Sequence, residues 1–149
     1  MRWLLSVLIK CNMKIKLIKG KKVFHLSSEE CRELLIAAKD AERNTYPIPN
    51  QGFARALMTV QRNIYTGISY KSDTATLTMH SEATALTHAA IHGEKEIVAI
   101  TGPNCHICKQ LIWENSLRSG IDIVIVIEED GKVKQIPISH LMPYPWPEK

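Results

Sequence analysis

The chain has 149 residues, of which 45% are hydrophobic and 23% charged, and its net charge at pH 7 is +4. These values fit one globular domain with a single sizeable core. The charge is too small to indicate nucleic-acid binding, and no basic run or arginine-rich tail adds to it.

The N-terminal residues carry an apolar segment of their own. Residues 3–9 are apolar except for Ser6, but they are too few to span a membrane, and no small-residue cleavage site follows them. We therefore predict an N-terminal extension or added strand over residues 1–22 and one domain over residues 23–149. Two of the four cysteines, Cys11 and Cys31, are predicted to be free thiols, which suits a cytoplasmic protein.

The first elements of the domain are a helix and a hairpin. Ser27 and Glu30 form a capping box, which predicts a helix that begins at Ser28. Apolar residues then recur at helical spacing up to a loop rich in proline and glycine over residues 46–52. Two β-prone segments separated by three polar residues predict a hairpin with strands over 54–60 and 64–69.

The second half of the chain alternates between helical and strand patterns. It predicts, in order, a helix, a strand, a helix and two strands, over residues 79–92, 96–101, 105–118, 121–127 and 133–138. Asn104 is the predicted N-cap of the second of these helices. An Asp130-Gly131 turn makes the last two strands an antiparallel hairpin. This order predicts an α/β three-layer sandwich, with a mixed five-stranded sheet and helices on both faces.

Two short motifs carry the chemistry: His80-x-Glu82 and Cys105-x-x-Cys108. A histidine and two cysteines are typical zinc ligands, and three protein ligands leave one tetrahedral position open for water, as in catalytic sites. We therefore predict a Zn²⁺ ion bound by His80, Cys105 and Cys108. Both motifs begin predicted helices, whose N-termini favour thiolates and bring the motifs together.

Glu82 is predicted to be the catalytic residue rather than a ligand. Bound zinc lowers the pKa of a coordinated water to ~7. A carboxylate within hydrogen-bond reach then takes a proton from that water and gives it to a leaving nitrogen. The order H-x-E and then C-x-x-C is typical of zinc deaminases, which normally have proline before the first cysteine.

Other readings of these residues remain open. A C-x-x-C pair alone also occurs in redox sites and in structural zinc modules without turnover. His88 and His92 lie one helical turn apart, but no third ligand accompanies them, so a solvated helix face is the default. Tyr144 and Trp146, in the proline-rich tail, would cap either the site or a neighbouring subunit.

Residues 27–145 resemble the cytidine deaminase family. The stretch 67–82 lines up without gaps with the family segment that leads into its first metal ligand and its catalytic glutamate. His80 falls on that ligand, Glu82 on the glutamate, and Cys105 and Cys108 on the other two ligands. Matches after the second cysteine and near the C-terminus extend the resemblance, at Lys109-Gln110 and Leu141-Met142-Pro143.

The resemblance implies a cytidine deaminase-like fold, a zinc cofactor and a homo-oligomer, either dimer or tetramer. It also implies where substrate contacts lie. Positions that hold the ribose in the family are Ser69 and Lys71 here, and the family's stacking aromatic aligns with Gln51, with Phe53 two residues away. Asn104 stands where the family has proline.

We therefore expect a zinc-dependent hydrolytic deaminase that acts on cytidine, deoxycytidine or a related aminated nucleoside or base and releases ammonia. The departures at the substrate positions leave a deaminase of another base or of an antibiotic nucleoside as the alternative. A polynucleotide editor is disfavoured by the mild charge and the few aromatic residues.

Overall fold

The computed structural model describes residues 14–148, and the predicted apolar segment 3–9 and the predicted free thiol Cys11 lie outside them. The described chain begins with a hairpin of β1 (Lys14–Ile18) and β2 (Lys21–His25). Phe24 of β2 is buried in the main core, and Lys22 bridges to Ile121. The predicted boundary between residues 22 and 23 falls within β2, and the division into an extension and a domain remains a prediction.

The predicted fold class is confirmed. A mixed sheet of five strands has the order β4-β3-β5-β6-β7, in which only the β5–β6 pair is parallel. Its strands are β3 (Ala54–Thr59), β4 (Ile64–Ile68), β5 (Ile97–Thr101), β6 (Val124–Glu129) and β7 (Lys132–Pro137). Every residue of β5 is buried, as expected for a central strand covered on both faces.

Three helices pack on this sheet: α1 (Ser28–Ala41), α2 (Ser81–Ile91) and α3 (His106–Ser119). The predicted capping box at the start of α1 is present, because the Ser27 hydroxyl accepts from the Glu30 amide while the Glu30 carboxylate accepts from the Ser27 amide. Helix α3 ends at Gly120, whose φ of 69° is in the left-handed region.

Several element boundaries differ from the prediction. Helix α2 begins at Ser81 instead of residue 79, because Met79 and Tyr70 exchange two backbone hydrogen bonds that keep the chain extended up to His80. Strand β6 begins at Val124 instead of residue 121, because Ile121 and Asp122 pair with Lys22 of β2. Among the described residues, no helix is long and apolar enough to span a membrane.

Candidate active site and metal centre

His80 reaches the site as the N-cap of α2. The residue is extended, and its carbonyl accepts from the amide of Thr84 in the first turn. The helix start lies directly on β4, because a Cβ atom on Gly67 would lie 2.1 Å from the Ala85 amide nitrogen and 2.2 Å from the Ser81 carbonyl oxygen. Glycine at this position therefore lets the first motif approach the sheet.

The second motif follows β5 and begins α3. The predicted N-cap Asn104 is wrong by one residue: Cys105 is the N-cap, and its Sγ accepts from the amide of Cys108 at 3.5 Å. The Asn104 side chain instead donates through Nδ2 to Glu82 and to the Thr101 carbonyl. Cys105 is exposed, whereas Cys108, one turn later, is buried.

The two motifs meet as predicted. Nδ1 of His80 lies 3.4 Å from Sγ of Cys105 and 3.4 Å from Sγ of Cys108. Across residues 14–148, these three side chains form the one group of three or more potential ligands whose atoms all lie within 4.8 Å. Zinc binds nitrogen at ~2.0 Å and sulfur at ~2.3 Å in tetrahedral geometry, which puts two such ligands ~3.5 Å apart. The observed separations therefore fit zinc.

Cys108 would need a bound cation in order to ionise. Burial raises the pKa of its thiol well above the ordinary value, and the nearby charge of Glu82 raises it further. A thiolate at this position needs a metal ion beside it, since a coordinating thiol loses its proton to the metal's charge.

Glu82 lies in the first turn of α2 and is buried, with 4% of its surface exposed. Its Oε1 accepts from Nδ2 of Asn104 at 2.9 Å and lies 3.6 Å from Nε of Arg55, and its Oε2 accepts from the Ser81 hydroxyl at 3.1 Å. Glu82 is not a member of the ligand group.

Burial by itself raises the pKa of Glu82, but the opposing effects are larger in sum. Hydrogen bonds from Asn104, from the residue's own backbone amide and from Cys108, together with the charge of Arg55, bring the pKa below its ordinary value. The side chain is therefore ionised at neutral pH and is able to accept a proton.

A cavity of about 530 Å³ opens beside these groups. The residues predicted from the family resemblance to contact substrate all line it: Gln51, Phe53, Ser69 and Lys71. Glu82, His80 and Cys105 line it too, so one cavity joins the reactive groups to the predicted substrate positions. A few polar groups in an otherwise apolar cavity are typical of small-molecule sites.

The four predicted substrate residues differ in their exposure and in the hydrogen bonds that they already make. The Ser69 hydroxyl accepts from the Phe53 amide at 3.0 Å, so one of its lone pairs is used to shape the cavity wall. Phe53 is 68% exposed, and Gln51 and Lys71 are exposed as well. The backbone of Lys71 is held by its amide, which donates to the Tyr46 carbonyl at 3.0 Å.

Sequence reasoning missed Arg55. This residue lies in β3 between buried alanines, and its side chain is only 15% exposed. Its guanidinium donates to the carbonyls of Ala54 at 2.8 Å and Pro103 at 2.5 Å, which connects β3 to the loop before Cys105. The one available signal was an arginine inside a strand that is otherwise buried.

The other residues that the sequence singled out as possible metal ligands or as a cap on the site lie outside the cavity. His88 and His92 each direct Nδ1 at a backbone carbonyl, of Thr66 and of His88 respectively, and their rings pack against Tyr65. The tail lies along α3, where Gln110 and Trp113 donate to the carbonyls of Trp146 and Pro147. Within residues 14–148, neither Tyr144 nor Trp146 lines the cavity.

No protein-family model matches the sequence, and no curated protein matches it. Solved structures do match. Cytidine deaminase from Burkholderia pseudomallei is 22% identical, with a TM-score of 0.66 over 81% of this chain and 100% of that chain. The Mycobacterium tuberculosis enzyme is 15% identical, with a TM-score of 0.64 over 77% and 95% of the two chains. The Bacillus anthracis enzyme is 18% identical, with a TM-score of 0.58 over 78% and 89%. The chain therefore has the fold of the cytidine deaminases.

Proposed function

We propose that the protein is a zinc-dependent hydrolytic deaminase of cytidine, deoxycytidine or a related aminated nucleoside or base. One observation carries the proposal. A buried, ionised carboxylate that is not a metal ligand, Glu82, lies beside the His80, Cys105 and Cys108 group and faces the same cavity. A structural zinc module without turnover has no use for such a carboxylate, which favours the enzyme over that alternative.

The residues have distinct roles in this reaction. His80, Cys105 and Cys108 would hold the metal, which when bound would supply a water that is acidic enough to react at neutral pH. Glu82 would accept the two protons of the attacking water in turn and deliver one to the ring nitrogen and one to the amine, which leaves as ammonia while the water oxygen takes its place on the carbon. The cavity wall positions the heterocycle over these groups.

Ammonia release tests the proposal directly. The purified protein, loaded with zinc, would be assayed with cytidine, deoxycytidine, cytosine, adenosine and guanine. We expect release from at least one aminated pyrimidine. Release from a purine alone would favour the alternative of another base, and release from none of these would contradict the proposal.

Lys71 bears on the substrate class. In the family that the sequence resembles, a carboxylate holds the ribose at this position, and a lysine cannot accept a hydrogen bond. Losing a hydrogen bond to a charged group costs ~1.5–3 kcal/mol, which is roughly ten- to a hundredfold in affinity. We therefore expect cytidine to bind poorly and Lys71→Glu to lower its KM by about that factor.

The measurement is kcat/KM for cytidine and for its 5′-monophosphate, in the wild type and in Lys71→Glu. A preference of the wild type for the nucleotide, reversed in the variant, would indicate that Lys71 binds an anionic group of the substrate. Lys132→Glu, in the β6–β7 hairpin outside the cavity, has the same change in net charge and serves as the control. Efficient cytidine turnover by the wild type, with no gain in Lys71→Glu, would remove Lys71 from the substrate site.

The assembly and location also belong to the proposal. Large apolar side chains are exposed at the cavity and within five residues of its lining along the chain, with Phe53, Leu77 and Ile107 being 68%, 67% and 74% exposed. Assembly into a homo-oligomer, dimer or tetramer, would cover apolar side chains of this kind. Light scattering on the active protein tests the assembly, and a monomer would contradict it. Cell fractionation tests the proposed cytoplasmic location.

A further inference from the structure

Asn104 connects the two motifs at the residue before Cys105. It is buried, with 7% of its surface exposed, and it lies between the end of β5 and the start of α3. Its Nδ2 atom donates to Oε1 of Glu82 at 2.9 Å and to the Thr101 carbonyl at 3.1 Å. One side-chain amide therefore links the end of a central strand to the carboxylate on α2.

The orientation of this amide is determined by its partners. An ionised carboxylate and a backbone carbonyl can only accept, so the nitrogen of the side chain must face both of them. Both N–H groups of Nδ2 are then in use, and Oδ1 is left buried without a hydrogen-bond partner among the described residues. The opposite orientation would place Oδ1 against two acceptors.

We propose that Asn104 is a positioning residue that holds Glu82 for proton transfer, an inference that rests on the proposed function. A glutamate side chain has several rotatable bonds, and proton transfer needs its oxygen within hydrogen-bond reach of the reacting atoms. Asn104 and Arg55 both lie against Oε1 of Glu82, at 2.9 Å and 3.6 Å. The other carboxylate oxygen, Oε2, accepts from the Ser81 hydroxyl.

This contact is not part of the pattern that the chain shares with the zinc deaminases. That pattern has proline at position 104, and a proline side chain has no donor. The replacement of proline by asparagine therefore adds a hydrogen bond between the motifs.

The first test is a split between kcat and KM. Asn104→Ala removes the donor, and we expect kcat to fall about 10- to 100-fold with KM unchanged, because a displacement of a reacting group by ~1 Å costs up to that factor. Zinc content should stay at the wild-type value. Asn104→Asp keeps the size of the side chain but not the donor, and it should lose at least as much; it carries the test if the alanine variant is insoluble. Asn115→Ala in α3 is the matched control and should keep wild-type kcat.

The second test does not depend on turnover. Melting temperatures of the wild type, Asn104→Ala, Glu82→Ala and the double variant form a cycle in which the loss of the Thr101 hydrogen bond cancels. We expect the two single losses to add up to more than the loss in the double variant. The inference would be overturned by any of three results: strictly additive losses in melting temperature, wild-type kcat in Asn104→Ala, or loss of zinc from that variant. Each of these results would leave the proposed function standing. A wild type that releases no ammonia would contradict the proposed function, while the cycle would still report whether Asn104 holds Glu82.

Discussion

Glu82→Gln is expected to lower kcat by ~10²-fold or more, which is the scale of losing a general acid–base group. The substitution keeps the size of the side chain, and the amide oxygen of glutamine still accepts from Asn104, so the local packing is retained. It removes the ability to accept a proton. Zinc content and melting temperature should therefore change little while turnover is lost.

The chain offers a matched control in Glu94. This carboxylate is also buried, and it accepts from the side chains of Thr59, Asn63 and Tyr65, but it does not line the cavity. Glu94→Gln should lower the melting temperature and keep kcat per folded molecule. If Glu82→Gln instead released zinc, the carboxylate would be a metal ligand and its proposed role would be wrong.

The metal group was predictable because local sequence rules place both motifs. Each one follows an extended segment and begins a helix, and helix starts in an α/β sheet gather at one edge. The capping box of α1 and the Asp130-Gly131 hairpin are equally local signals, and both structures are present. Patterns that involve neighbouring residues are the ones that sequence reasoning reads best.

The parts that were missed are of two kinds. The β1–β2 hairpin is local, but its turn at Lys19-Gly20 is not a typical hairpin signal. Arg55 and Asn104 lie 49 positions apart, and they meet at one oxygen of Glu82 only after the sheet has formed. Nothing in the local pattern around either residue indicates that meeting.

Ser69 shows what a family resemblance leaves undetermined about a side chain. The family resemblance places it at a substrate position, and it does line the cavity. However, its hydroxyl already accepts from the Phe53 amide, and a Cβ atom on Gly52 would lie 2.3 Å from that hydroxyl. An alignment gives the position of a side chain but not the partner its hydrogen bond takes, so the role of Ser69 in binding stays a prediction.

Cys105→Ser is expected to abolish tight zinc binding without disturbing the fold. Serine is a good N-cap, so the contact that Cys105 makes with the Cys108 amide can be kept, and the exposed position leaves no cavity behind. The hydroxyl is a poor zinc ligand at neutral pH, because metal binding requires a deprotonated group. Zinc content after dialysis should fall from about one ion per chain to near zero.

The same variant should lose the stabilisation that zinc gives to the wild type. Zinc at ~100 times its dissociation constant adds ~2.7 kcal/mol to the free energy of unfolding. For a domain of this size that amounts to ~5–10 °C in melting temperature. Cys31→Ala is the control, since Cys31 is buried in α1 outside the ligand group; it should lower the melting temperature yet keep both the zinc and the zinc-dependent shift. Full zinc occupancy in Cys105→Ser would show that the ion is held elsewhere, and the proposed chemistry at Glu82 would then lose its metal.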